Sequence, residues 1–379
     1  MRGPSLRVVS WLLGSLVVAC APVPSPSPSL TPPPLPAEFV PWPDIVWQIA
    51  DLPIRPLELS AERVVAVTAT DAGFVAVGYR ETDGVRDGKV WRSTDAETWE
   101  LVDDAAFAGV DLVDVSPAPK GFVALGVEGR VEDGGGHPTA AVFGSLDGES
   151  WQRLPPLPAT GDTDPIGIAG GPQGVIAIAF EQTGRMAVWR AADGRSFERV
   201  SLTGPAARGL VDPHAVPDGF VAIAASAPPP SMLRSVDGLT WTAAQIDAGT
   251  DANAIRLFPG RWGLVAQGIS SSTCTAPCPV SFVGWWSGDG GTWGPLPVIG
   301  SPIANGVSVV VPAGDHGLLA IDGADAWASP DGWAWRSLPE PGDGTVSIDD
   351  AVVRGDVIVA VGGEAQDDGS SIGRILVAR

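Results

Sequence analysis

Short apolar runs of strand length recur along the whole chain. They are Gly73 to Gly78 (GFVAVG), Gly121 to Gly126 (GFVALG), Gly174 to Ala179 (GVIAIA), Gly219 to Ala224 (GFVAIA), Gly263 to Gly268 (GLVAQG), Gly317 to Ile321 (GLLAI) and Asp356 to Gly362 (DVIVAVG). Runs this short and continuously apolar predict buried central strands. After each of the first six comes a polar punctuation of the form Ser-x-Asp-Gly-x-Thr/Ser-Trp, at intervals of roughly forty to fifty residues, the period of propellers and solenoids. Its acids are Asp95, Asp147, Asp193, Asp237, Asp289 and Asp331. Each copy lies between two strand-like runs, which predicts a tight hairpin turn. There the Asp and Ser side chains accept backbone N–H groups and glycine takes a positive φ. Two residues before the Ser position stand Trp91, Phe143, Trp189, Leu233, Trp285 and Trp327. The period of two puts them on the Ser face of the strand, where neighbouring sheets stack through large side chains.

The seventh apolar run is followed by one more strand-like segment, Ile372 to Val377, with no further polar punctuation. Near the start, Ile45 to Pro53 has the composition of the strands that follow the other punctuations, such as Trp151 to Pro158 and Trp335 to Pro339. It is therefore expected to be the outer strand of the last sheet, closing the ring and leaving no free edge. The polar pattern resembles Asp-box, or BNR, repeats, although its copies are one residue shorter than the usual Ser-x-Asp-x-Gly-x-Thr-Trp. That resemblance, to the sialidase-like superfamily, implies an all-β, seven-bladed β-propeller of four-stranded antiparallel blades over residues 44–379. It leaves function open, because Asp-box propellers include sialidases, endoglucanases, receptor ectodomains and assembly factors.

Arg2 and Arg7 precede an apolar run from Val8 to Ala19 and then Cys20, the layout of a secretion signal and too short to span a bilayer. Val17 to Cys20 resembles a bacterial lipobox. The expectation is a lipoprotein signal over 1–19, a lipidated Cys20, a Pro/Ser-rich tether over 20–43 and an extracytoplasmic location, with the lipid anchor as the contact with the membrane. The other two cysteines, Cys274 and Cys278, suggest a local disulfide in an exported chain.

A net charge of −21 argues against nucleic acid and against electrostatic adhesion to anionic lipid. It directs attention instead to where the acids collect. In a propeller, the loops entering the innermost strands share one face with the loops between second and third strands. That face is expected to gather Asp111, Asp164, Asp212, Asp251 and Asp349, with Glu81, Asp83, Asp87, Glu132, Asp133, Asp367 and Asp368 around them. Such a surface suits a basic segment of a partner or a calcium ion; no other cofactor is expected. Catalytic constellations are sparse. Sialidases use three arginines, a Tyr/Glu couple and an Asp acid, with an Arg-Ile/Leu-Pro motif near the start. Here no such motif stands early, Tyr79 is the single tyrosine, and Arg55, Arg63, Arg256 and Arg354 have no spacing that marks a trio. The three histidines, His137, His214 and His316, form no Ser/His/Asp set and read as turn or surface residues. The expected role is a non-catalytic module binding an unknown protein or glycan at the cell surface, with a divergent glycoside hydrolase or exo-sialidase as the alternative.

Overall fold

The computed structural model describes residues 38–379 apart from 54–60, 103–104, 130–135, 160, 226–229, 247–251, 272–279, 297–300, 343–344 and 368. Cys20, the signal, Cys274, Cys278 and Asp251 lie outside the described residues. The chain divides into two compact units, and the second, Pro34 to Arg379, holds the sheets.

The apolar runs become the second strands of antiparallel sheets. Val75, Ala76 and Val77 are buried on both faces of Gly73–Thr82, as are Val123, Ala124 and Leu125 in Phe122–Glu128. Each run pairs backward with a first strand and forward with a third. Val110–Pro117, Phe122–Glu128, Thr139–Ser145 and Trp151–Arg153 make one such meander. Five sheets of four strands follow this plan, and the strands at the two ends of the described chain share one larger mixed sheet. First strands pack beside one another in sequence order, and Val346–Arg354 returns to pack beside Ala61–Thr70. The circle of first strands surrounds a central channel. This is an all-β propeller of six to seven blades: six hydrogen-bonded sheets, seven first strands.

In the mixed sheet, Trp47–Ile49 runs antiparallel to Ser371–Ala378, with Trp47 opposite Ala378 and Ile49 opposite Leu376. One parallel pair, Ala61 with Ser371, joins the terminal strands to the next meander. Ahead of this strand, residues 38–42 cross the turns of the later sheets. Glu38 meets Arg261, Phe39 sits edge-on to Trp262 at 6.0 Å, and the Val40 amide donates to the Asp315 carbonyl. Trp42, 4% exposed, stacks on the buried His316 with ring centroids 4.1 Å apart.

The polar turns have the chemistry their residues predict. In the turn after Thr139–Ser145, Ser145 Oγ accepts the Gly148 amide at 2.8 Å, and Asp147 Oδ1 accepts the Glu149 and Ser150 amides at 2.9 Å each. Gly148 takes φ +78° and the Trp151 indole closes the turn on the Gly148 carbonyl. The Ser and Asp bonds recur around Asp95, Asp237 and Asp289, the indole bond recurs at Trp99 and Trp293 but not at Trp241, and the turn at Asp193, which lacks the Ser, keeps only the Asp bonds. Backbone bonding first, then the Ser hydroxyl where present, holds these carboxyls below the usual range. Trp91, Phe143, Trp189, Leu233 and Trp285 are buried between sheets, as the period of two requires.

Candidate functional site

The channel is built by irregularities in the first strands. Registers slip between Val64 and Ala66, Leu112 and Asp114, Pro165 and Gly167, Val211 and His214, Ala254 and Arg256, and Ile348 and Asp350. A bulge bends its strand and re-aims the residues around it. It also explains the glycine that ends several apolar runs. A Cβ on Gly78 would stand 2.0 Å from the Arg63 carbonyl oxygen, and one on Gly362 1.9 Å from that of Ser347.

At the level of the bulges, three carboxylates reach from one first strand to the next. Asp350 Oδ2 accepts the Val67 amide at 2.9 Å, Asp114 Oδ2 accepts Ile168 at 2.8 Å, and Asp212 Oδ2 accepts Leu257 at 2.5 Å. Asp350 and Asp114 also accept the amides of Ala351 and Val115 through their second oxygens, both at 2.8 Å. His214 Nε2 lies 3.2 Å from Asp212 Oδ2. These groups are half-buried among the first strands, and the loss of water there dominates their titration. It pushes Asp114 up to about 6 and Asp350 up to about 7, with nearby carboxylates adding to the rise. Burial alone would lift Asp212 and lower His214, but each outweighs it for the other, so Asp212 is lowered and His214 raised.

Beside them lies a cavity of about 570 Å³. Its polar lining includes Asp114, Ser116, Asp212, His214 and Arg256, and its apolar walls include Ile166, Ile255, Pro213 and Pro259. The lining runs from the bulges toward the ends of the first strands, the side on which the polar turns lie. Of the four described acids among the five expected to gather on the opposite face, Asp212 alone lines this cavity. Asp111 and Asp349 are drawn into ion pairs with arginines of the meander that begins with Ala61–Thr70. Arg63 binds Asp349 through Nε and Nη2 at 2.5 and 2.6 Å, while Arg86 lies 3.0 Å from Glu81 and 3.1 Å from Asp111. The Arg86 guanidinium sits 4.3 Å over the Tyr79 ring, and burial raises the Tyr79 phenol despite the nearby arginines. Asp164 stands opposite Phe180 in the third meander, away from that cluster in sequence register.

Two arginines thus flank Tyr79, and of the other described candidates neither Arg354 nor Arg256 joins them. Arg354 donates to the carbonyls of Thr70 and Thr94 at the turn end of the molecule, and Arg256 donates to the Ser308 carbonyl; Arg55 is outside the described residues. The Arg-Leu-Pro triplet at 153–155 begins on an outer strand, where Arg153 pairs with Glu128. Among the described residues, no three His, Cys, Asp or Glu side chains are placed to hold a metal ion. Sequence reasoning passed over Asp114 and Asp350 and read His214, which lies on the strand Leu210–Val216, as a turn or surface residue. Their signal was present as acids and a histidine interrupting otherwise apolar first strands, VDLVDVSP, VSIDDAVVR and LVDPHAV.

No family model matches the chain, and no curated protein matches it. Among solved structures it is similar to virginiamycin B lyase from Staphylococcus aureus, at 11% identity and TM-score 0.53, covering 88% of this chain and 99% of that one. A putative 6-phosphogluconolactonase from Bacteroides uniformis is similar at 16% identity and TM-score 0.50, covering 80% and 95%. A Trypanosoma rangeli sialidase mutant displaying trans-sialidase activity matches at 12% identity and TM-score 0.41, covering 84% of this chain and 54% of that one, a likeness too loose to carry an argument. At these identities the likeness shows the fold alone, and the class it defines is the β-propeller.

Proposed function

We propose that the chain is an exported, lipid-anchored, seven-bladed Asp-box propeller that acts as a non-catalytic binding or assembly module at the cell surface. In this reading the Trp47–Ile49 strand is the outer strand of the seventh blade and closes the ring. One observation carries the non-catalytic part. The acids and arginines around the channel are engaged in holding the ring: Asp350, Asp114 and Asp212 by backbone amides of the next first strand, Arg63 and Arg86 by Asp349 and Asp111. Side chains so committed suit a rigid scaffold that presents a surface.

The glycoside hydrolase alternative has one point in its favour. Asp350 near 7 and Asp114 near 6 are carboxyls of the kind that serve as a general acid at neutral pH. Purified protein assayed on fluorogenic sialosides and a panel of aryl glycosides separates the two. Turnover that is lost in Tyr79→Phe or Asp114→Asn overturns the binding reading. The binding reading itself is tested by thermal shift with basic peptides and with calcium, comparing the wild type with Asn at Asp111, Asp164, Asp212, Asp251 and Asp349. A shift confined to the wild type supports it, and an identical response in both proteins removes the acidic face from consideration. The anchor is tested separately, by mass spectrometry for a diacylated Cys20 in the membrane fraction.

A further inference from the structure

We infer that the cavity between the first strands Thr163–Gly171 and Leu210–Val216 is a binding site for an organic cation, a primary ammonium group on a short aliphatic body. It lies where the ring's own fastening is left out. Elsewhere that fastening follows one rule. Asp350, Asp114 and Asp212 each offer Oδ2 to an amide on the next first strand: Val67 after Ala66, Ile168 after Gly167 and Leu257 after Arg256. The positions correspond by register, since Ala66, Asp114, Gly167, Arg256 and Asp350 stand opposite Val77, Leu125, Ile178, Gln267 and Val361 of the central strands. Asp350 and Asp114 spend Oδ1 on the amide of the residue that follows, Ala351 and Val115.

Between Thr163–Gly171 and Leu210–Val216, which pack against each other, both halves of the rule are missing. Gly167 holds the acid's position and brings no carboxyl. Asp212 is followed by Pro213, which has no N–H to offer. The two departures leave space and an unused acceptor. A Cβ on Gly167 would meet one heavy atom within 4 Å, Asp114 Oδ2 at 3.4 Å. The cavity of about 570 Å³ is lined from one side of the gap by Ile166, Gly167 and Ile168 and from the other by Asp212, Pro213 and His214. Asp212 Oδ2 takes the Leu257 amide and lies 3.2 Å from His214 Nε2. Its Oδ1 receives no hydrogen bond from a described residue, because the amide that serves this atom in Asp114 and Asp350 is here a proline nitrogen.

The lining decides the class of ligand. A carboxylate oxygen partly withdrawn from water is best satisfied by a charged donor, whose bond is shorter and about twice as strong as a neutral one. The N–H groups given to Asp114 and Asp212 favour their ionised forms, and the guanidinium of Arg256 is turned to the Ser308 carbonyl. Ile166 and Ile255 stand open to solvent, and with Pro213 and Pro259 they form an apolar wall that an aliphatic body would cover. Among the described residues no three His, Cys, Asp or Glu side chains are placed for a metal ion, so the cation that fits is organic.

Calorimetric titration of the full chain with pentylammonium chloride, against pentanol as the uncharged match, tests this. Saturable one-to-one binding of pentylammonium is expected, about tenfold tighter than that of the alcohol. Asp212→Asn keeps an acceptor for Leu257 but loses the charge, and should weaken binding about tenfold. Gly167→Val fills the gap and should abolish binding. Since it leaves every acid in place, its effect cannot come from the acidic face, and calcium or basic peptides held there should bind it as they bind the wild type. Nα-acetyl-lysine methylamide identifies the source: affinity equal to that of pentylammonium assigns the site to a partner's lysine, and markedly weaker affinity to a free amine. No saturable binding at millimolar pentylammonium, equal binding of the alcohol, or full affinity in either variant overturns the inference. Should a variant fail to fold, the amide shifts of Gly167, Asp212 and His214 in the wild type decide: they move together during the titration if the cavity is the site, and their constancy refutes it.

Discussion

The segment that leads into the terminal strand offers a quantitative test of how the ring is closed. Trp42 is 4% exposed, lies flat on His316, and passes its carbonyl to Arg336 Nη2 at 3.1 Å. His316 in turn bonds the Val40 carbonyl at 2.7 Å and Asp356 at 2.9 Å. Trp42→Ala removes a buried indole, a change that costs about 3–5 kcal/mol in well-packed cores. One term opposes this. The Trp42 indole N–H is buried without a hydrogen-bond partner, and relieving such a group returns about 1–3 kcal/mol. The net expectation is a loss of about 2 kcal/mol. With an unfolding entropy of about 2.1 cal/mol/K per residue, that corresponds to a melting point roughly 3 °C lower for the unit Pro34 to Arg379. Trp42→Phe separates the two terms, since it keeps an aromatic ring for His316 and discards the orphan N–H, so it should melt within about 1 °C of the wild type. Calorimetry on the three proteins supplies the shifts, and limited proteolysis shows whether cleavage first appears before Ala61. A melting point unchanged by Trp42→Ala would mean that the segment undocks without affecting the ring. Equal damage from Phe and Ala would refute the argument from the unpartnered N–H.

The polar turns should give the protein its acid limb. Asp95, Asp147, Asp193, Asp237 and Asp289 are held below the usual range by backbone amides, so their stabilisation is present above that range and fades as pH falls through their depressed values. A pH series of melting curves from 5 to 2.5 should slope downward, and Asp147→Ala should cost about 1 kcal/mol at pH 6, as loss of a comparable helix cap does; a flat series would contradict the turn chemistry. Gly78→Ala places a methyl group 2.0 Å from the Arg63 carbonyl oxygen and should destabilise by about 1–3 kcal/mol or more. Gly291→Ala, whose Cβ meets nothing nearer than Asp289 at 3.6 Å, serves as the comparison in the same denaturation assay, and equal effects would show that the bulge does not exclude a side chain.

Much of the architecture was legible in the chain because it depends on local rules repeated many times. Continuous apolar runs such as Gly73 to Gly78 mark strands buried on both faces, and a Ser, an Asp and a Gly at fixed offsets mark a turn whose bonds lie within a few residues. The large residue two places before each Ser had to face the adjoining sheet, since strand side chains alternate. Even the pairing of Trp47–Ile49 with Ser371–Ala378 was foreshadowed by the likeness of Ile45 to Pro53 to other outer strands.

The channel was decided by tertiary structure. Asp111 and Asp349 read as free surface acids in the sequence, yet Arg86 and Arg63 come to them from a neighbouring meander, and no local spacing announces a partner that distant. Asp114 and Asp350 read as polar breaks in apolar strands. Only the circle of first strands brings each within reach of an amide on another sheet. His316 is the same case: its partners lie on two distant segments, Val40 and Trp42 on one and Asp356 on the other. Alternation and turn chemistry act over a few residues, so the sequence carries them openly. Burial and charge pairing act through space, and they take their values only when the ring is closed.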